Sequence, residues 1–239
     1  MEEFIRTELI IGKQAMEKMA KARVAIFGVG GVGGYVVEAL ARSGIGVLDL
    51  IDNDDVALSN INRQIIATQG DVGRKKVDIA RQRVLSINPS IKVNTFDCFY
   101  LPDKKDIFSF EEYDYIVDAI DTVTAKLDLI VTAKSLNIPI ISAMGCGNRL
   151  DPTKIVITDI YKTSGDPLAK IMRKLLKEKG IKKLDVVYST EKPIKPLFDI
   201  REIEKDTSRR SIPGSSAFVP PAAGLAIASF VTRKICGLD

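Results

Sequence analysis

Histidine is missing from all 239 residues, and so is tryptophan. Without an imidazole the chain has neither the commonest general base nor the commonest transition-metal ligand. Its chemistry must run on carboxylates, lysine, arginine, backbone amides and bound ions. Cysteine is scarce as well. Cys98, Cys146 and Cys236 stand far apart and form no CxxC pair, which excludes a zinc ribbon and a disulfide framework. No run of about 18 uncharged apolar residues occurs, so a spanning helix and a membrane partner are not expected. Met1-Glu2-Glu3-Phe4 lacks the basic-then-apolar order of a secretory signal. A cytoplasmic protein is the expectation.

What is present fits an ordinary soluble domain, with 46% hydrophobic and 28% charged residues. The length suits one large domain. Residues 23–28 read as a short buried strand, followed by a glycine-rich turn and a helix from Tyr35 to Ser43. Further strands are expected at Val47–Ile51, Ile91–Phe96, Tyr113–Val117 and Ile138–Ser142. Helices are expected at Gly73–Ile87 and Val123–Leu136. Strands alternating with helices imply an α/β, Rossmann-like, doubly wound and mostly parallel sheet. That core spans about 20–150. A C-terminal extension follows over 151–239, making one domain of residues 1–239. In the extension Lys154–Ile160 reads as a strand, and Asp166-Pro167 as the N-cap and first turn of a helix running to Lys179. Residues 192–216, rich in charge, Pro and Ser, read as a long loop, and Ala222–Ile235 as an apolar helix.

The chemistry-bearing pattern is Gly28-x-Gly30-x-x-Gly33, placed after a strand and opening a helix. The first glycine permits a tight turn, the second lets backbone approach a phosphate, and the third allows close helix–strand packing. The helix start then offers free N–H groups to an anion. Asp52 closes the next strand, where a ribose hydroxyl would lie. Alone this reads as a dinucleotide fingerprint, NAD among the candidates. The segment Asp52 to Gln64 is more polar than a dehydrogenase needs there, with Asp54, Asn60, Arg63 and Gln64 able to surround a triphosphate. Arg74, Lys75 and Lys76 are expected to crowd the next helix start, where cations oppose the helix dipole unless a polyanion offsets them.

Together these residues resemble the E1-like adenylating enzymes, which include ubiquitin-activating enzymes and the bacterial adenylyltransferases of thiamine and molybdopterin synthesis. The motifs that carry the resemblance are GVGGVGG at 28–34, Asp52-x-Asp54, Ser59-Asn60-x-Asn62-Arg63-Gln64, Gly73-x-x-Lys76-Val77, Ile87-Asn88-Pro89 and Asp118-Ala-Ile-Asp121. They cover roughly residues 4–160. The resemblance implies ATP and Mg²⁺ as cofactors. Gly28, Gly30, Gly31 and Gly33 would form the nucleotide turn, and Asp52 would hold the ribose. Asn60, Arg63 and Lys76 would hold the triphosphate, with Asp54 and Gln64 beside them. Asp121 would position Mg²⁺. Arg6 resembles an N-terminal arginine that completes the partner's site across a homodimer.

One branch matches further. Glu38 to Gly46, Ala143 to Asn148 with Asp151-Pro-Thr, Asp166 to Lys170, Tyr188 to Glu191 and Ser216 to Pro220 resemble the tRNA threonylcarbamoyladenosine dehydratases. That branch implies ATP-dependent cyclisation of the threonylcarbamoyl group on adenosine 37 of tRNA. The threonyl carboxylate would be adenylated, and AMP would leave as the ring closes. Such a cyclisation needs no thioester, and Cys146, between two glycines, reads as a small buried residue. The helix from 166 to 179 puts Lys170, Arg173, Lys174, Lys177 and Lys179 outside an apolar face, with Lys182 and Lys183 following. They are candidates for tRNA phosphates, as are Arg209 and Arg210 in the loop. The alternatives are an activator of a small sulfur-carrier protein and a non-catalytic nucleotide-binding or NAD-dependent module. A sulfur-transfer partner such as a cysteine desulfurase, and a monovalent cation beside Gly145–Thr153, stay open.

Overall fold

The computed structural model describes residues 2–198 and 213–238. Two helices that the periodicity did not suggest come first, α1 (Ile5–Ile11) and α2 (Lys13–Lys21). The alternating core follows: β1 (Arg23–Phe27), α3 (Gly33–Ala41), β2 (Val47–Ile51), α4 (Lys76–Ile87), β3 (Lys92–Phe96), β4 (Tyr115–Asp118), α5 (Val123–Ser135) and β5 (Ile140–Ala143). The extension contributes β6 (Ile155–Asp159), α6 (Pro167–Glu178), β7 (Asp185–Ser189) and α7 (Val219–Cys236).

One seven-stranded sheet runs in the order β3-β2-β1-β4-β5-β7-β6. Every neighbouring pair is parallel except β6 with β7. The expected α/β architecture is therefore present. The unforeseen strand is β7, five residues long, which pairs in parallel with β5 and carries β6 antiparallel on its outer side. The extension thus continues the core sheet.

Both faces of the sheet are covered, as the unbroken apolar character of β1 and β4 requires. On one face Val36 and Leu40 of α3, Val84 of α4 and Ile227 and Val231 of α7 share a cluster with Met19 of α2. On the other, Leu129 and Ile130 of α5 meet Met172 and Leu176 of α6 and the aromatic rings of Phe27, Phe108 and Phe110. Fully burying one such side chain contributes roughly 1.5–3 kcal/mol.

Helix starts follow local chemistry. The Asp166 carboxylate accepts from the Ala169 N–H at 2.7 Å, and Pro167 occupies the first turn of α6 as expected. Pro220 and Pro221 sit in the first turn of α7, where no intrahelical N–H bond is lost. The expected loop over 192–216 has no helix or strand at 192–198 or 213–216; its remainder, with Arg209 and Arg210, lies outside the described residues. Among the described residues no helix is long and apolar enough to cross a membrane.

Candidate functional site

Strand order reverses beside β1. The chain moves outward through β2 and β3, then returns to place β4 on the other side of β1. Sheets of this kind open a crevice at such a reversal, outside the carboxyl ends of the strands. The glycine-rich turn that follows β1 lies in that crevice.

The turn is built by close backbone approach. Gly28 has φ +92°, and a Cβ there would stand 2.6 Å from the carbonyl oxygen of Ala119. A Cβ on Gly33 would stand 1.8 Å from the carbonyl oxygen of Gly28. Only glycine fits either position. Gly30 differs, because the nearest atom to a Cβ there is Nε2 of Gln64 at 3.8 Å. Among the described residues no other atom comes within 4 Å of that position. Gln64 itself is buried, and its Oε1 has no hydrogen-bond partner among the described residues. That acceptor is available to a donor brought from outside.

Asp52, just beyond β2, locks the turn from the other side. Its Oδ2 accepts from the Val29 N–H at 2.7 Å, and its Oδ1 from the Asp54 N–H at 2.9 Å. Burial pushes its pKa above the ordinary carboxylate value, against the opposing pull of Lys76 and the two N–H donors. Lys76 opens α4 and is 5% exposed; its Nζ meets Asp54 Oδ2 at 2.7 Å. Asn60 is buried, with Oδ1 accepting from the Ala57 N–H at 3.1 Å.

Arg63 carries the most telling electrostatics. A Cβ on Gly31 would lie 3.4 Å from Arg63 Cγ, so the side chain runs along the turn. Its guanidinium donates to the Ser59 carbonyl at 2.8 Å and to Asn62 Oδ1 at 2.8 Å. Among the described residues no carboxylate pairs with it. Burial lowers its pKa, the direction expected of a cation short of counter-charge. A part-desolvated arginine beside the glycine turn has the chemistry to receive an anion.

Asp121 follows β4 by three residues and is exposed at the mouth of the crevice. It reaches the site because the Ala119 backbone leans on Gly28. No group of three or more metal-ligating side chains exists among the described residues. A lone carboxylate still suits Mg²⁺, which takes one or two carboxylates and fills its remaining positions with phosphate oxygens and water. Gly28, Gly30, Gly31, Gly33, Arg63 and Gln64 thus lie along the turn, Asp52 is bonded to it, Asp54 and Lys76 pair beside Asp52, Asn60 precedes Arg63, and Asp121 follows the Ala119 contact by two residues.

Arg6 lies apart from these. It is exposed on α1, and the neighbouring Phe4 packs against the Gly44 turn that leads into β2, at the end of the strands opposite the glycine turn. The expected crowding of three cations at the start of α4 also needs correction. The helix begins at Lys76, so Arg74 and Lys75 precede it. Arg74 pairs with Asp71 at 2.8 Å, and Lys75 with Asp55 at 3.0 Å and Asp97 at 3.4 Å.

Sequence reasoning did not place the third wall. Pro220 lies against Gly31, and the Asn62 side-chain amide donates to the Ser215 carbonyl at 3.0 Å. The only hint was the pair of prolines that starts α7. Near Gly145–Thr153 the positive charge comes from Arg149, which is 3% exposed. It donates to the carbonyls of Gly145 at 2.6 Å and Gly147 at 3.2 Å and pairs with Asp166 at 3.0 Å. Cys146 is buried, and desolvation pushes its pKa up to about 12. Its thiol stays protonated and is a poor nucleophile.

An α/β sheet with a cationic, glycine-lined crevice at its reversal point defines a nucleotide-binding class. Within it the chain belongs to the ThiF family, whose profile matches residues 4–236. The chain is 42% identical to the tRNA threonylcarbamoyladenosine dehydratase of Bacillus subtilis (strain 168), over 98% of this chain and 95% of that one. Two solved structures of the Escherichia coli tRNA N6-threonylcarbamoyladenosine dehydratase, TcdA, superpose on it. The complex with AMP gives a TM-score of 0.90 and the complex with ATP 0.89. Each is 35% identical and covers 99% of this chain and 95% of that chain. The expected place among E1-like adenylating enzymes is met.

The two kinds of glycine in the turn separate experimentally. Gly33→Ala is expected to destabilise the fold by at least about 1–3 kcal/mol through overpacking, whereas Gly30→Ala should stay within about 0.5 kcal/mol of the parent. Denaturant unfolding of both variants checks this, and equal losses would contradict the open space above Gly30. The native protein should also leave Cys146 unmodified by iodoacetamide at neutral pH and expose it only on unfolding, read by peptide mass spectrometry.

Proposed function

We propose that this chain is an ATP-dependent tRNA threonylcarbamoyladenosine dehydratase, acting on the modified adenosine 37. The observation that carries the reading is Arg63, a guanidinium with no carboxylate partner among the described residues, lying along the glycine turn. A triphosphate supplies the missing counter-charge. The relatives named tRNA threonylcarbamoyladenosine dehydratase support the choice of acceptor.

Asp52 receives ribose hydroxyls on its remaining lone pairs. Asn60, Arg63 and Lys76 hold the triphosphate, with Asp54 keeping Lys76 aligned and Gln64 offering its unused oxygen. Asp121 holds Mg²⁺, which supplies further neutralisation of phosphate charge. The threonyl carboxylate attacks the α-phosphorus and pyrophosphate leaves. The neighbouring carbamoyl group then attacks the activated carbonyl, closing a five-membered ring and releasing AMP and a proton. Negative charge grows on the α-phosphate oxygens during the first step. Fixed cations aimed at that point lower the barrier without having to reorganise. No imidazole is needed, because the carboxylate arrives already ionised. No thiol is needed either, because the second nucleophile belongs to the same substituent.

Arg6 enters the site of a second copy, making a homodimer. The helix that carries it supports this, since α1 leaves Leu9 81% and Ile10 85% exposed. On the other side of the molecule the exposed cations Lys170, Lys174, Lys177, Lys179, Lys182 and Lys183 run along and just past α6. The start of α6 is tied to the crevice through the Asp166–Arg149 pair. An RNA stem leaving the crevice along α6 would meet these charges with its phosphates, which positions it without reading sequence. Arg173 is turned inward, donating to the Thr163 carbonyl at 3.0 Å, and takes no part.

The decisive assay adds purified protein and ATP to tRNA bearing threonylcarbamoyladenosine. AMP should appear, and the nucleoside should lose the mass of one water by mass spectrometry. AMP formation that instead requires a small carrier protein would transfer the reading to sulfur-carrier activation. Asp121→Ala and Arg6→Ala should each abolish turnover while staying folded, and mixing them should restore part of it through heterodimers. No restoration after confirmed subunit exchange would contradict a shared site.

Reversing the charges at Lys170, Lys174 and Lys177 should weaken tRNA binding and flatten its salt dependence, by roughly 0.7–0.9 in log–log slope per lost phosphate contact. An unchanged slope in filter binding would return α6 to a plain solvated surface.

A further inference from the structure

Three polar side chains that no step above uses are wholly enclosed where β4 and β5 end. Lys126, Asp118 and Ser142 are each 0% exposed. Lys126 lies in the first turn of α5, where its charge opposes the helix dipole. Its Nζ donates to Asp118 Oδ2 at 2.8 Å, to Ser142 Oγ at 3.1 Å and to the Ala143 carbonyl at 2.9 Å. All three ammonium protons are used. Ser142 Oγ also donates to Asp118 Oδ2, and Asp118 Oδ1 accepts from the Ile120 N–H at 3.2 Å.

Taking two ions out of water is costly, and attraction repays it only when geometry is good and the remaining hydrogen-bonding positions are filled. Here they are filled by backbone from two separate crevice walls. Ile120 belongs to the stretch that presses on Gly28 through Ala119 and ends in Asp121. Ala143 closes β5 and leads into Gly145 and Gly147, whose carbonyls hold Arg149. The groups that fill the remaining positions are backbone at the ends of two different strands, so the pair ties those ends to each other. One ammonium therefore fixes the ends of two adjacent strands, and with them the place of Asp121 relative to the glycine turn.

We propose that Lys126 is a positioning residue, its ammonium clamping the carboxyl ends of β4 and β5 so that Asp121 meets the magnesium ion of bound ATP. This rests on the assignment of Asp121 to Mg²⁺ made above. The clamp acts through Asp118 and Ile120 and touches no substrate.

The test removes the ion pair as a unit, in Asp118→Asn with Lys126→Met, so that no charge is left buried alone. Thermal shift by ATP is measured across a magnesium titration, beside the kcat and KM for tRNA. The double variant should stay folded and keep its response to ATP without magnesium. The magnesium concentration giving half the ATP-dependent shift should rise at least about 10-fold, as when a partner of a metal ligand is lost. The kcat should fall while the KM for tRNA holds. Ser142→Ala, which keeps the ion pair, should move the midpoint the same way by less. An unchanged midpoint in the folded double variant overturns the proposal. If the double variant does not fold, an unchanged midpoint in Ser142→Ala overturns it. Asp121→Ala in the same titration separates two failures. A shift there without one in the clamp variants overturns the positioning role alone, and no shift in any variant overturns the metal assignment with it.

Discussion

The crevice depends on backbone touching backbone with no side chain between. The peptide after β4 lies on Gly28, and Gly33 lies on the carbonyl of Gly28. This contact pins three segments at one point: the end of β1, the start of α3 and the Ala119–Asp121 stretch. The rest of the opening follows from it. Asp52 can reach the Val29 N–H because the turn is tight. Arg63 can lie along Gly31 because no Cβ stands there. Asp121 follows by one residue the Ala119–Ile120 backbone that makes the contact. The sheet contributes the reversal of strand order that leaves room above the turn.

Charge is distributed with equal economy. The cations around the opening fall into two groups. Lys76, Arg74 and Lys75 are each answered by carboxylates of the same chain. Among the described residues Arg63 is answered by a carbonyl and an amide oxygen and by no carboxylate. A planar guanidinium suits that post, since its fork of donors matches phosphate oxygens and it keeps its charge in a drier setting than water. Opposite it, Asp52 is held by two backbone N–H groups, so its direction is set before any ligand arrives. The opening is preorganised on both sides, which is what charge stabilisation in a transition state requires.

Much of this was legible because it is local. The glycine turn, Asp52, the run from Asn60 to Gln64 and Lys76 are short motifs whose spacing encodes their placement, and the strand–helix alternation of residues 23–143 gave the parallel sheet. What could not be read depends on contacts distant in sequence. Lys75 looked uncompensated until Asp97, brought alongside by β3, was seen to pair with it. Asp185 to Ser189 is not among the expected strands, and it becomes one through pairing with β5, about 40 residues away in sequence. Lys126, Asp118 and Ser142 converge from a helix and two strands, and no spacing rule foresees that meeting. The wall made by Ser215 and Pro220 comes from the far end of the chain, where local pattern speaks only of a helix start.

That wall also sets an order of events. The first turn of α7 borders the glycine turn through Pro220, while its last turn is fastened to α2, with Lys18 donating to the Cys236 carbonyl at 3.0 Å. The helix therefore straps the first part of the chain to the opening from end to end. Because α7 is the last of these elements to leave the ribosome, a nascent chain with its sheet already paired still lacks one side of the pocket. The cleft has all its sides only in a chain that includes α7.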